Sequence, residues 1–328
     1  MAKKLVRFIV REIARQLYFV SVKAGRQEKL KAAMPNFVRN FISRFVVKAV
    51  AHTYDRERRR QRVDGKTILL ADYPRCGVNW LRFTLTTVLH YRLTGEFRRL
   101  AHREMGNYTP TISGHENYQP SYFNDGMSFV KTHSHYFPEF RRAIMIYRNP
   151  YEAIKSIYTQ ERYTLDNISE LLDFDLYRGT IRDKLKLPGD KYEGLSEDES
   201  FLVYWSKEFV RHHETWLAAI HQRPADFLVV KYEDMLENCA GLLPAIISFA
   251  ALDTPPLTAE QSSSLAAMYT RRNSNWPKEE DIAYRNDKFR ELESIINPHE
   301  LERLDANLAR RVTEIHTDLD KVRLSPSA

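Results

Sequence analysis

Three short stretches hold the residue types that could do chemistry together. The first is MSFVKTHSHYF, residues 127–137. Ser128 to Lys131 reads as a short strand, and Lys131 and His133 are two apart, so on an extended chain their side chains share a side. An imidazole is the usual proton acceptor near neutral pH, and an ammonium beside it can meet negative charge growing on an oxygen. His135 falls on the same face; a His-x-His pair supplies two metal ligands at most, and no metal is assigned. The second stretch is TILLADYPRCGVNWLRF, residues 67–83, in which Arg75 puts a fixed cation beside Gly77. The third is AIMIYRNPYEAIKSIY, residues 143–158, with Arg148 at a strand end and Ser156 about two turns into the following helix. The plain alternatives are an ordinary strand-to-helix turn and a histidine at a strand end with no role. The residues by themselves leave these open.

The elements that must hold these groups can be read from pattern. Thr67–Ala71, Ser128–Lys131, Ala143–Tyr147 and Ala225–Lys231 are short apolar, β-branched runs of the kind that form buried strands. Tyr73-Pro74 breaks the first run, Gly77 permits a tight turn, and LRFTLTTVLHYRL continues with helical spacing. Pro150 suits the first turn of a helix, where its missing N–H costs little. Strand, loop and helix thus alternate, and the free N–H groups of the first loop make a seat for an anion. In open α/β sheets ligands sit beyond the carboxyl ends of the strands, which places Arg75, Lys131, His133 and Arg148 in one crevice. The fold class expected is α/β: a single P-loop-like domain with a central parallel sheet flanked by helices, plus N-terminal amphipathic helices.

The loop is not a Walker A sequence, since Val78 and Asn79 follow Gly77 where Lys and Ser/Thr would be needed. It resembles instead the loop of sulfotransferases that use 3′-phosphoadenosine 5′-phosphosulfate (PAPS), typically YP[KR]SGTTWL. Tyr73, Pro74, Arg75, Gly77, Trp80 and Leu81 match; Cys76, Val78 and Asn79 stand where that family has hydroxyl residues. KTH at 131–133 and RNPxxxxxS at 148–156 resemble two further elements of the family. The resemblance implies that His133 is the general base and Lys131 assists the leaving group. It implies that the loop Arg75, Cys76, Gly77, Val78, Asn79 and Trp80 holds the cofactor, with Trp80 on the adenine and Arg75 on the 5′ side, and that Arg148 and Ser156 bind the 3′-phosphate. Arg271 and Arg272, with Asn273, stand where the family has a third cofactor element. VVKYEDML at 229–236 resembles a scaffold element whose acids are expected to cap the next helix. The implied reaction is sulfuryl transfer from PAPS, leaving PAP, to a hydroxyl, with an amine as second choice. The acceptor is open, with a lipid or glycan at a membrane surface in view. The alternatives are a P-loop kinase or NTPase, and a non-catalytic membrane-surface protein on a degenerate nucleotide fold.

Composition narrows the setting. The chain has 328 residues, 43% hydrophobic and 12% aromatic, enough for one large domain with appendages. Two cysteines give no disulfide framework and no zinc spacing. The net charge of +7 is uneven: residues 1–62 carry 17 Lys/Arg against 4 Asp/Glu, a formal +13, which leaves −6 for the rest. Residues 3–20 and 36–50 are basic with apolar groups at helical spacing. Two amphipathic helices are expected, either lying on an anionic membrane surface or packed on the domain. The domain boundaries drawn are 1–62 for this extension and 63–328 for the sulfotransferase domain. A cytoplasmic protein, peripheral on a membrane, is the expected setting. No basic–aromatic platform favours nucleic acid. No dimerisation motif is matched, so the oligomeric state stays open. Residues 96–127 are a candidate acceptor-binding segment, 161–199 an exposed insertion, 201–220 a core helix and 285–323 two charged helices.

Overall fold

The computed structural model describes residues 67–101, 104–105, 108–109, 128–169, 192–252, 255–268 and 289–324, with backbone alone for 128 and 160–169. The N-terminal helices expected in 1–62, and Arg271 and Arg272, lie outside the described residues, as does most of the candidate acceptor segment. The described chain falls into two compact units. The larger runs from Arg56 to Ile157 and from Leu202 onward; the smaller contains 158–169 and 192–201. In the smaller unit Tyr158 donates to Asp198 at 2.5 Å and meets the Phe201 ring edge-on at 4.9 Å.

The larger unit is an α/β layer structure. The elements of the chain run β1 (Thr67–Asp72), α1 (Val78–Thr94), β2 (Ser128–Thr132), β3 (Arg142–Tyr147), α2 (Pro150–Ser169), α3 (Glu197–Gln222), β4 (Phe227–Lys231), α4 (Tyr232–Glu237), α5 (Cys239–Phe249), α6 (Ala259–Met268) and α7 (Pro298–Val322), with 158–169 of α2 and 197–201 of α3 belonging to the smaller unit. The four strands form one parallel sheet in the order β2-β1-β3-β4. Every residue of β1 is buried, which a strand tolerates only when both sheet faces are covered. The expected parallel sheet with flanking helices is therefore the fold found.

Several expectations need correction. Ala225 and Asp226 belong to a 3-10 turn, Pro224–Asp226, and β4 starts only at Phe227. Pro224 fixes its φ and suits the start of such a turn. Residues 161–169 continue α2 and 197–199 open α3, so the supposed insertion is partly helical. Within it Tyr192 is buried. The 289–324 segment contributes α7, which is two helical stretches either side of a kink at Asp305 (φ −157°, ψ 88°), as the expected pair of charged helices requires; its start is set by Asn297 accepting from the Glu300 N–H and by Pro298 in the first turn. Among the described residues the acids of α4 cap neither α4 nor α5, whose N-terminus is capped by Asn238: Glu233 accepts the Asn149 N–H at 3.1 Å, and Asp234 pairs with Arg323 at 2.7 Å. They spend their charge on neighbouring elements, although their place in a first helical turn also suits the helix dipole.

The core continues through α3, which meets the connection between β2 and β3. Trp216 is buried, stacks on Phe140 at 6.0 Å, and donates Nε1–H to the Ser134 carbonyl at 3.0 Å. His212 and His213 lie one turn away, also buried. Burial, with each other's proximity, holds His212 well below its usual pKa. Burial pushes His213 down to about 3, with its Nδ1 2.8 Å from the Phe209 carbonyl. An unfolded chain takes up protons on such rings near 6.5, while the folded chain resists until far lower. Unfolding is then favoured as pH falls through that interval, so stability is full above about 6.5 and declines below it. Melting temperature measured from about pH 7.5 to about pH 5 is expected to fall, and His213→Gln is expected to flatten that slope. An unchanged slope in the variant would show that this ring does not govern acid sensitivity.

Candidate active site

The sheet register assembles the site. Leu70 of β1 is level with Lys131 of β2, and Ala71 with Thr132. Residues level in adjacent strands project to the same sheet face, so Lys131 and His133 share a face with Leu70 and Asp72. Asp72 is in turn level with Ile146 of β3, two residues before Arg148. The three motifs meet because three parallel strands end together.

The loop between β1 and α1 is a tight turn. Cys76 N–H donates to the Tyr73 carbonyl at 3.2 Å and Trp80 N–H to the Gly77 carbonyl at 2.9 Å. Arg75 takes a positive φ of 71° and Gly77 one of 102°, values that only glycine adopts without cost. Tyr73 pins the loop into the core, donating its hydroxyl to the Trp205 carbonyl at 2.8 Å and packing edge-on against Phe209. On the other side, a Cβ on Gly77 would sit 2.4 Å from the Tyr232 ring. Tyr232 also carries the Arg148 guanidinium over its face, 4.8 Å from the ring centre. This tyrosine, read from sequence as scaffold, is thus the floor joining the loop to Arg148. Only its place after β4 in the YED stretch hinted at it.

The predicted residues fall as follows. Arg75 Nε donates to Ser156 Oγ at 3.0 Å, and Arg148 Nη1 donates to the Arg75 carbonyl at 3.4 Å. Arg75, Arg148 and Ser156 are therefore one cluster, and Arg75 is tied to Ser156 rather than standing apart from it. Arg148 also lies 3.6 Å from Glu152, while its buried Nε has no hydrogen-bond partner among the described residues. Lys131 Nζ donates to Asn79 Oδ1 at 3.1 Å, linking β2 to the first turn of α1. That contact leaves the Asn79 amide nitrogen to donate elsewhere. Trp80 is half-buried beside it. Val78 is buried and gives its N–H to Asp72 Oδ2 at 3.4 Å. Cys76 is fully buried; burial and the Asp72 charge push its thiol pKa up, so it stays a neutral thiol inside the turn. What Cys76 offers is loop shape rather than a side-chain contact.

His133 lies just past the end of β2. Its Nδ1 is 2.5 Å from Asp72 Oδ1 and 3.4 Å from the Asp72 carbonyl oxygen. The Nε2 has no protein partner among the described residues. His135 turns toward α3 instead, 3.3 Å from the Arg211 carbonyl and 3.9 Å from Glu208. The arrangement offers a base on one strand end, an ammonium beside it and paired guanidinium groups on the next, the equipment for moving a group away from a polyanion. Asp72 was missed in sequence because it closes an apolar run and reads as its polar boundary. Its distance of 61 residues from His133 hides the pair.

Comparison with known proteins bears on the family. A search of curated proteins finds no match. Among solved structures the chain is similar to mouse sulfotransferase SULT7A1 complexed with PAP, at 15% identity and a TM-score of 0.39, over 78% of this chain and 90% of that one. It is also similar to retinol dehydratase in complex with androsterone and inactive cofactor PAP, at 14% identity and a TM-score of 0.41, over 81% and 83%. The family assignment rests on neither. It rests on the model of the sulfotransferase domain, which matches residues 65–292. That span is well over half of the 328 residues and contains every element of the site, so the chain belongs to the sulfotransferase family.

Proposed function

We propose that this protein transfers the sulfuryl group of PAPS to an acceptor hydroxyl, with His133 as general base. The observation carrying this reading is the juxtaposition of His133 Nε2, without a protein partner among the described residues, with Lys131 and the loop from Arg75 to Trp80. The residues also fit the donor. Arg148 holds a buried Nε with no partner among the described residues, next to Ser156 and Arg75. A 3′-phosphate there would accept from all three side chains.

Bound PAPS supplies an activated sulfuryl group and a stable leaving group, PAP. His133 Nε2 takes the acceptor's hydroxyl proton as the acceptor oxygen bonds to sulfur. Lys131 Nζ and the Asn79 amide would hold the leaving side of the donor, as hydrogen-bond donors to the phosphate oxygen that keeps the electron pair of the old S–O bond. A preorganised donor of this kind is worth about 3–4 kcal/mol of barrier. The Walker Lys-Ser/Thr pair is missing, so the kinase reading has no residues to support it.

Turnover of sulfur-labelled PAPS against lipid, glycan and phenol acceptors tests this. Label is expected in one acceptor class with equal release of PAP, and His133→Ala is expected to lower turnover ~10²–10⁴-fold while PAP still binds. Near-wild-type turnover in that variant removes His133 from the role. Stabilisation by PAP with no turnover on any acceptor favours a non-catalytic binding protein.

Arg148→Ala is expected to weaken PAP by roughly tenfold or more beyond its effect on adenosine 5′-phosphate, which lacks the 3′-phosphate. Equal weakening of both ligands contradicts the assignment. Because Arg75 touches Ser156, Arg75→Ala should share this selectivity.

We also infer a membrane-surface acceptor from the +13 charge of residues 1–62, which lie outside the described residues. No helix among the described residues is long and apolar enough to cross a membrane. The full chain is expected to bind anionic vesicles, less so as salt rises, since exposed charge is screened over about 8–10 Å. Equal binding to neutral and anionic vesicles rules this out.

A further inference from the structure

The proposed base has a partner that no motif announces. Asp72 is the last residue of β1, and its side chain is 1% exposed, against 24% for His133. Sealing a carboxylate from water is costly unless a charged or hydrogen-bonding group meets it. One oxygen, Oδ2, receives the Val78 N–H at 3.4 Å. The other, Oδ1, has no aligned hydrogen-bond donor; the nearest group to it is the His133 ring, with Nδ1 at 2.5 Å.

This contact is built into the sheet. Ala71 and Thr132 are level, so the next residues in line are Asp72 and His133. Adjacent strands lie about 4.8 Å apart, and side chains at level positions project to one face. The Oδ2 contact to Val78 fixes the carboxylate against the first residue of α1. The Asp72 carbonyl, 3.4 Å from Nδ1, favours the same hydrogen on the ring. Every acceptor near Nδ1 calls for an N–H there. A neutral imidazole has one N–H and one lone pair, so a hydrogen held at Nδ1 leaves the lone pair at Nε2.

We propose that Asp72 is a positioning residue for the reaction: it holds His133 in the Nδ1–H form, aims Nε2 at the acceptor hydroxyl, and faces the imidazolium formed when that proton arrives. The inference rests on His133 being the base. It gives Asp72 a role distinct from the loop strut that the Val78 contact alone would make it. The proton's path is short: it leaves the acceptor oxygen, settles on Nε2, and Asp72 stays ionised throughout.

The test compares full-length wild type, His133→Ala, Asp72→Asn and the double variant on the acceptor found by turnover. Asparagine keeps the shape and can still accept from Val78, but it carries no charge. Asp72→Asn is expected to lower kcat roughly 10²–10⁴-fold with KM for PAPS changed less than about threefold, and the double variant to be no slower than His133→Ala. Full kcat in His133→Ala sinks the base and this inference together. A slow His133→Ala beside a fast Asp72→Asn leaves the base standing and overturns the positioning role. A strut alone predicts weakened PAP and a lowered melting temperature with kcat kept. Should Asp72→Asn fold poorly, nitrogen-15 NMR of histidine-labelled wild type decides, with the His133 signals identified by their loss in His133→Gln. The neutral ring is expected to carry its proton on Nδ1; a proton on Nε2 overturns the proposal.

Discussion

Parallel pairing of β1 with β2 and β3 is the constraint on which the site depends. β1 lies between them, buried at every position, and its register sets which residues stand level where the strands end. Because side chains alternate along a strand, a slip of one residue against β2 would turn Lys131 and His133 to the other face. The loop after β1 inherits its position from the same strand. It closes as a turn from Tyr73 to Cys76, with Tyr73 anchored on α3 and Gly77 pressed against Tyr232.

Charge is distributed along that edge in a consistent way. Cations concentrate on the β1 loop, β2 and β3 at Arg75, Lys131 and Arg148. The nearby acids are each engaged: Asp72 with His133 and Val78, Glu152 with Lys155 and Arg148, Glu233 with the Asn149 N–H, and Asp234 with Arg323. Few carboxylates are therefore left to repel a polyanionic donor. Arg148 is held from two sides, over the Tyr232 ring and against the Arg75 carbonyl, so little side-chain freedom remains to be lost on binding.

Much of this was legible in sequence, for physical reasons. Buried parallel strands must be continuously apolar, so β1 and β3 stand out, and Pro150 marks the start of α2. The RNP and KTH stretches announce themselves by residue type. What was hidden depends on tertiary contact. The pairing of Asp72 with His133 follows from a register no local pattern specifies. Arg75 reaches Ser156 across 81 residues. Glu233 and Asp234 look like caps because they open a helix, yet they bond to Asn149 and Arg323. Ala225 and Asp226 directly precede the apolar run of β4, but Pro224 winds them into a turn before that strand begins.

The most direct measurement is a crystal structure of the protein with PAP. The account predicts the 3′-phosphate within hydrogen-bond distance of Arg148, Ser156 and Arg75, and the 5′-phosphate over the loop from Gly77 to Trp80. It also predicts His133 Nε2 facing that phosphate with Nδ1 still on Asp72. PAP bound away from the carboxyl ends of β1, β2 and β3, or bound there with its 3′-phosphate untouched by these side chains, would contradict it.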